Sequence, residues 1–246
     1  MDVALVAVIG AATALATGLG VFPVWAVGTR ARGLQPALEG VAAGIMAVAS
    51  IAGLLLPAID DGSAAQVAGG LVAGLGFLIL TRRWLLGRNF QVGRLQGADV
   101  NRSVLVFGAL FVHSLPEGFA IGTAYASSRA GLGLFVVLAI AAQNVPEGTA
   151  TAIPMAEDGF SRRQQFWAAV FTSAPQPFGA VIAYLLVEET RQLLAISFAF
   201  AAGAMLALIA TDLVPAAFVR GSRRIATVGV CLGACTMLLL TQLLSV

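Results

Sequence analysis

HSLPEGFAIG occupies residues 113–122 and QNVPEGTATA residues 143–152. Both stretches lie inside long apolar runs, and each sets a Pro-Glu-Gly step there, with a carboxylate at Glu117 or Glu147. The surrounding composition says what the runs are. Of 246 residues, 59% are hydrophobic and only 11% charged, and the mean hydropathy is +0.93. A soluble domain of this length needs far more charge to cover its surface, so the chain reads as an integral membrane protein. About 20 apolar residues cross a bilayer as a helix. That leaves room for eight spans with short loops, and no soluble domain fits between them. Residues 1–246 are therefore expected to form one all-α transmembrane domain. The opening MDVALVAVIG lacks a basic n-region and runs on as apolar sequence, which argues against a cleaved signal peptide.

Charges, prolines and glycines place the spans at about 2–28, 37–59, 64–81, 103–127, 131–155, 164–187, 192–216 and 225–244. All fourteen basic residues are arginine. Twelve fall in alternate loops or at their edges: Arg30 and Arg32; Arg82, Arg83, Arg88, Arg94 and Arg102; Arg162 and Arg163; Arg220, Arg223 and Arg224. The other loops carry Asp60 and Asp61, then Arg129, then Glu188, Glu189 and Arg191. The positive-inside rule makes the arginine-rich set cytoplasmic, so both termini are expected outside the cytoplasm of a multi-pass plasma-membrane protein. This asymmetry accounts for the net charge of +2, and no nucleic-acid partner is needed. The stretch 82–102 reads as a solvated cytoplasmic connector. Cys231 and Cys235 share one face of the last span and read as small packing residues; no disulfide framework follows.

Two internal echoes organise the spans. The Pro-Glu-Gly steps sit in consecutive, hence antiparallel, fourth and fifth spans. AAGIMAVASIAGLLLPA from Ala42 and AAGAMLALIATDLVPA from Ala201 share Ala-Ala-Gly-x-Met and a closing Pro-Ala, in the second and seventh spans. Similar segments in opposite orientation are the trace of an inverted repeat, common in transporters with a site near the bilayer midplane.

Depth brings polar side chains together. His113 and Glu117 straddle the midpoint between Arg102 and Arg129, Gln143 lies midway between Arg129 and Glu157, and Gln176 lies midway between Arg163 and Glu188. Met46 falls near the middle of its span. His113 and Glu117 are i,i+4 and share a helix face; Gln143 and Glu147 repeat the spacing. A mid-bilayer carboxylate costs on the order of 2.5 kcal/mol or more. Two neighbouring carboxylates repel unless they share a proton or hold a cation between them. Pro116 and Pro146 lack an N–H, which frees the carbonyls of Val112 and Ala142, and Gly118 and Gly148 let a neighbouring helix approach. His113, Glu117, Gln143 and Glu147 together point to an intramembrane cation site, whereas Ser114, Thr123 or Thr149 alone read as hydrogen-bonded glue between helices. Met46 is either packing or a soft ligand.

The paired His113-Ser-x-Pro-Glu117-Gly and Gln143-Asn-x-Pro-Glu147-Gly steps resemble the ZIP (Zrt-, Irt-like protein) divalent-metal transporters, in their compact prokaryotic form. ATGLGVFP at 16–23, AAGIM at 42–46, AAGAM at 201–205 and DLVP at 212–215 extend the likeness along the chain. The resemblance implies an eight-helix inverted-repeat bundle and a primary metal site from Met46, His113, Glu117, Gln143 and Glu147. It implies a second, adjacent metal position at Ser114, Asn144 and Gln176, where an amide replaces the family's usual carboxylate in the sixth span; that position reads as degenerate. Asp212 matches an acidic position on the cytoplasmic exit path, with Thr211 where a histidine often precedes it.

The implied function is passage of a divalent cation into the cytoplasm, zinc first, with iron, manganese, cobalt or cadmium as alternatives. Two other classes compete: a non-transporting membrane metal sensor or scaffold, and an intramembrane metallohydrolase. The latter sits poorly with a single histidine and no HExxH motif, so the chain is not expected to be an enzyme. The expected partners are the metal ion and the bilayer, with a homodimer as one option. No prosthetic group is expected beyond the transported ion.

Overall fold

The computed structural model describes residues 2–86, 98–219 and 223–246, and every regular element among them is helical. α1 (Val3–Leu19) and α2 (Val21–Val27) form the first span, and α3 (Gln35–Ser50) and α4 (Leu56–Asp61) the second. α5 (Ala64–Leu86), α6 (Ala98–Ala126) and α7 (Leu132–Glu157) follow as continuous helices. α8 (Arg162–Thr172) and α9 (Pro175–Glu189) make the sixth span, α10 (Leu194–Leu208) and α11 (Val214–Val219) the seventh, and α12 (Arg223–Leu244) the eighth. By length and composition, seven of these runs are apolar enough to cross a membrane. α6, at 29 residues, is long enough as well. The eight expected spans are present. The connector is shorter than the sequence suggests, because α5 continues to Leu86 and α6 begins at Ala98. Arg82, Arg83 and Arg102 therefore belong to helices, while Arg88, Arg94 and Arg220 lie outside the described residues.

The interruptions come in pairs. The first span breaks at Gly20 and the sixth at Ser173–Ala174, just before Pro175. Thr17 and Ser173 join the two breaks through a 2.7 Å hydroxyl–hydroxyl hydrogen bond. The second and seventh spans each widen into a π-turn, Ile51–Leu55 and Ile209–Leu213, two residues before Pro57 and Pro215. A proline removes one i→i−4 bond, and a π-turn is one way to reset the ladder around it. The Ala-Ala-Gly echo thus has a structural counterpart: each copy bends at the same place. Pro116 and Pro146, by contrast, sit inside helices that continue through them.

Packing follows the same pairing. The broadest helix contacts are α3 on α12, α5 on α10 and α6 on α9. Small residues set the spacing, as is usual where lipid removes the hydrophobic drive between helices. A Cβ on Gly118 would collide with the Gln176 carbonyl in α9, and one on Gly148 with the Thr17 carbonyl in α1. The two Pro-Glu-Gly glycines thereby seat the fourth span on the sixth and the fifth on the first. Met46, Phe135, Ile140, Phe198 and Met205 are buried in the core between α3, α7 and α10. Val72, Leu80, Phe178, Leu239 and Leu243 are exposed, the face a bilayer would cover. Cys231 and Cys235 are exposed too. They are not packing residues, since the face of α12 against α3 carries Gly229 and Gly233 instead.

Ion pairs sort the loops into two ends. Arg129 reaches Asp60 at 3.3 Å and Asp61 at 2.8 Å, and Arg191 donates to the Ala126 carbonyl. Opposite, Arg32 pairs with Glu157, and Arg162 lies 5.7 Å over the Trp25 ring. The acidic loops meet at one end and two of the arginine-rich loops at the other, as eight alternating spans require.

Candidate metal site

The polar centre is built from the two Pro-Glu-Gly helices and the two broken spans beside them. α6 contributes Glu117 and α7 contributes Gln143, Asn144 and Glu147; α9 adds Gln176 and α1 adds Thr13. Glu117, Asn144 and Gln176 have no solvent-accessible surface, and Gln143, Glu147 and Thr13 are likewise buried. Position on the helix explains the convergence: Pro175 and the break before it start α9 at this level, and Gly118 lets its first turn approach α6 closely.

Two amides hold the Glu117 carboxylate. Gln143 Nε2 donates to Oε1 at 2.5 Å and Gln176 Nε2 donates to Oε2 at 2.8 Å. Asn144 Oδ1 accepts from Gln143 Nε2 at 3.0 Å and from Gln176 Nε2 at 3.2 Å. Asn144 Nδ2 donates to the Thr13 carbonyl at 2.7 Å, and Thr13 Oγ1 donates to Gln176 Oε1 at 2.8 Å. One amide oxygen is left over: Gln143 Oε1 is buried without a hydrogen-bond partner. Such an atom costs about 1–3 kcal/mol unless something electropositive meets it. Glu147 lies one turn from Gln143 on the same face of α7 and is likewise buried.

His113 faces elsewhere. Its Nε2 stands 3.8 Å from Asp212 Oδ2, in the seventh-span π-turn. Asp212 in turn receives Arg82 Nη2 at 2.9 Å and the Thr211 hydroxyl at 2.9 Å. Met46 is fully buried in the core where α3 packs on α7. Ser114 is buried and donates to the Thr172 carbonyl at 3.0 Å, at the break in the sixth span. The structure thus joins Glu117, Gln143, Asn144 and Gln176 directly and sets Glu147 beside them, while His113 contacts Asp212. Among the described residues, no three or more His, Cys, Asp and Glu side chains are gathered closely enough to hold a metal by themselves.

Sequence reasoning missed Thr13 and Arg82. Thr13 and Thr17 stand i,i+4 within the apolar first span, a visible polar pair whose partners belong to a distant segment. Arg82 reads as a loop residue only because its helix is longer than its apolar run.

Eight helices, paired breaks and buried carboxylates on antiparallel helices define a polytopic membrane protein with a polar centre, the architecture of secondary transporters. The comparisons narrow that class. The family described as ZIP Zinc transporter matches residues 93–241, more than half the chain. Zinc transporter GufA of Myxococcus xanthus is 32% identical over 244 residues, with 95% of each chain covered. Zinc transporter ZIPB of Bordetella bronchiseptica is 33% identical over 251 residues, covering 94% of this chain and 78% of its own. A putative zinc transporter of Arabidopsis thaliana is 35% identical over 229 residues, or 90% of this chain but only 36% of the plant protein's length. The chain belongs to the ZIP family of membrane metal-ion transporters.

Proposed function

We propose that the chain carries Zn²⁺ across the plasma membrane into the cytoplasm, through a single principal site centred on Glu117 and Glu147. The observation that carries this reading is the buried pair of carboxylates beside an unpartnered Gln143 Oε1. Two negative charges match one divalent ion, and the unpartnered Gln143 Oε1 offers a neutral ligand. Family membership supports metal as the cargo, and the zinc-transporter names of the relatives support zinc in particular. Mixed oxygen and nitrogen ligands suit zinc, with iron, manganese, cobalt and cadmium as competitors.

The ion sheds water on entering, and the carboxylates replace its hydration charge. The family pattern also assigns Met46 and His113 to this position, although in this structure His113 Nε2 stands 3.8 Å from Asp212 Oδ2 instead. Asp212, near the Arg82 end of α5, receives the ion on its way out. Movement of one helix group against the other around the site provides alternating access, the usual device of inverted repeats. In this reading both termini lie outside the cytoplasm, and no prosthetic group takes part. The test is zinc influx into liposomes holding the purified full chain, with Glu117→Ala and Glu147→Ala beside the wild type. Influx abolished by both substitutions supports the reading; near-normal influx in both removes the site.

A further inference from the structure

A tethered cation stands at the acidic residue of the exit path. Arg82, near the end of α5, contacts the seventh-span π-turn at two points: its Nη2 lies 2.9 Å from Asp212 Oδ1 and its Nη1 donates to the Thr211 carbonyl at 3.4 Å. That carbonyl is available because Pro215, four residues on, has no N–H to give it. On its other oxygen Asp212 faces His113 at 3.8 Å. Exposure rises along the series: the side chain is 6% exposed at His113, 28% at Asp212 and 39% at Arg82. The chain of contacts thus runs from a buried imidazole through a partly buried carboxylate to a more exposed arginine side chain.

We propose that Arg82 is the latch of the cytoplasmic exit: it occupies the cation position of Asp212, so that a divalent ion leaving the centre must displace it. The inference rests on the transport reading and adds a residue to it. A guanidinium and a divalent ion in contact with one carboxylate repel each other, so the two occupy Asp212 in turn. Arginine suits the role because its charge is permanent and its planar fork can grip the carboxylate and the carbonyl together. The π-turn supplies the yielding part, since its backbone ladder is already interrupted. With the ion gone, Arg82 re-forms the pair and closes the way back.

The experiment uses the full chain in liposomes, with Zn²⁺ alone as the probe and an internal zinc-sensitive dye. Because a partly exposed ion pair is a modest restraint, Arg82→Gln is expected to raise initial influx about three- to fivefold. Arg82→Lys, which keeps the charge but loses the second contact, is expected to raise it less. Arg82→Gln combined with Asp212→Asn is expected to be no faster than Asp212→Asn alone, because the latch has nothing to hold. Arg82→Met serves in place of the glutamine variant should that one not insert. Unchanged influx in the neutral variants overturns the latch, even if their melting temperature falls, since that pattern belongs to a simple staple between α5 and the seventh-span π-turn. The same acceleration with Asp212 already replaced overturns it too. A wild-type chain that moves no zinc removes the transport reading instead, and the latch with it.

Discussion

Gln176 Nε2 donates to Glu117 Oε2 at 2.8 Å, from a helix that starts at the break in the sixth span. The amide N–H thus satisfies that Glu117 oxygen. A neutral amide coordinates weakly and cancels no charge, whereas two neighbouring divalent ions carry four positive charges that need carboxylates to offset them. Only Glu117 and Glu147 are at hand among the described centre residues. Metal counting on the purified wild type should give one tightly held ion per chain. Asn144→Asp with Gln176→Glu should raise the count to two. Two full ions in the wild type would end the single-site idea.

Glu117 is bound by two amides, and Glu147 is buried one turn beyond Gln143 on α7. Removing either carboxylate leaves the ion under-compensated where charge interactions are strong. By analogy with broken buried pairs, the loss is about 3–5 kcal/mol, which corresponds to zinc affinity weakened by roughly two orders of magnitude or more. Titration calorimetry on Glu117→Ala and Glu147→Ala checks this independently of transport. Binding within a few-fold of wild type in both would place the metal elsewhere.

Gly148 is where the fifth span touches the first, with the Thr17 carbonyl in the space a Cβ would need. Gly148→Ala should force the helices apart and destabilise the bundle by about 1–3 kcal/mol, the usual range for overpacking. Gly69, on α5, has open space where its Cβ would go. Gly69→Ala should be neutral or slightly stabilising, because alanine is the better helix former. Thermal melts of the two variants in detergent give the comparison. Equal melting temperatures would mean that the α1–α7 contact is looser than its backbone spacing implies.

The acidic end of the bundle holds Asp60, Asp61, Arg129 and Arg191; the arginine-rich end holds Arg32 and Glu157. In a background lacking the exposed Cys231 and Cys235, Ser63→Cys and Glu189→Cys should react with an impermeant thiol reagent from outside intact cells. Asp158→Cys, at the other end, should react only after the membrane is opened. The reverse pattern would turn the molecule over.

Much of this architecture was legible in one dimension, because a bilayer imposes rules that act on local sequence. Span length follows from hydrocarbon thickness, and the alternation of acidic and arginine-rich loops already told which of them share an end of the bundle. Glu117 and Glu147 announced themselves because a carboxylate is costly in an apolar run. The Ala-Ala-Gly echo likewise marked the second and seventh spans as related. Partnership was another matter. Spacing put His113 and Glu117 on one helix face, yet only the folded chain turns His113 toward Asp212 and gives Glu117 to Gln143 and Gln176. Thr13 entered the centre, and Arg82 reached Asp212 and Thr211, through contacts between segments more than 120 residues apart in the chain. Nothing local encodes such meetings. They follow from how closely backbones can approach at Gly118 and Gly148, and from where the paired breaks at Gly20 and Pro175 redirect the helices. Hydropathy places a residue in the membrane; packing decides which neighbour it meets there.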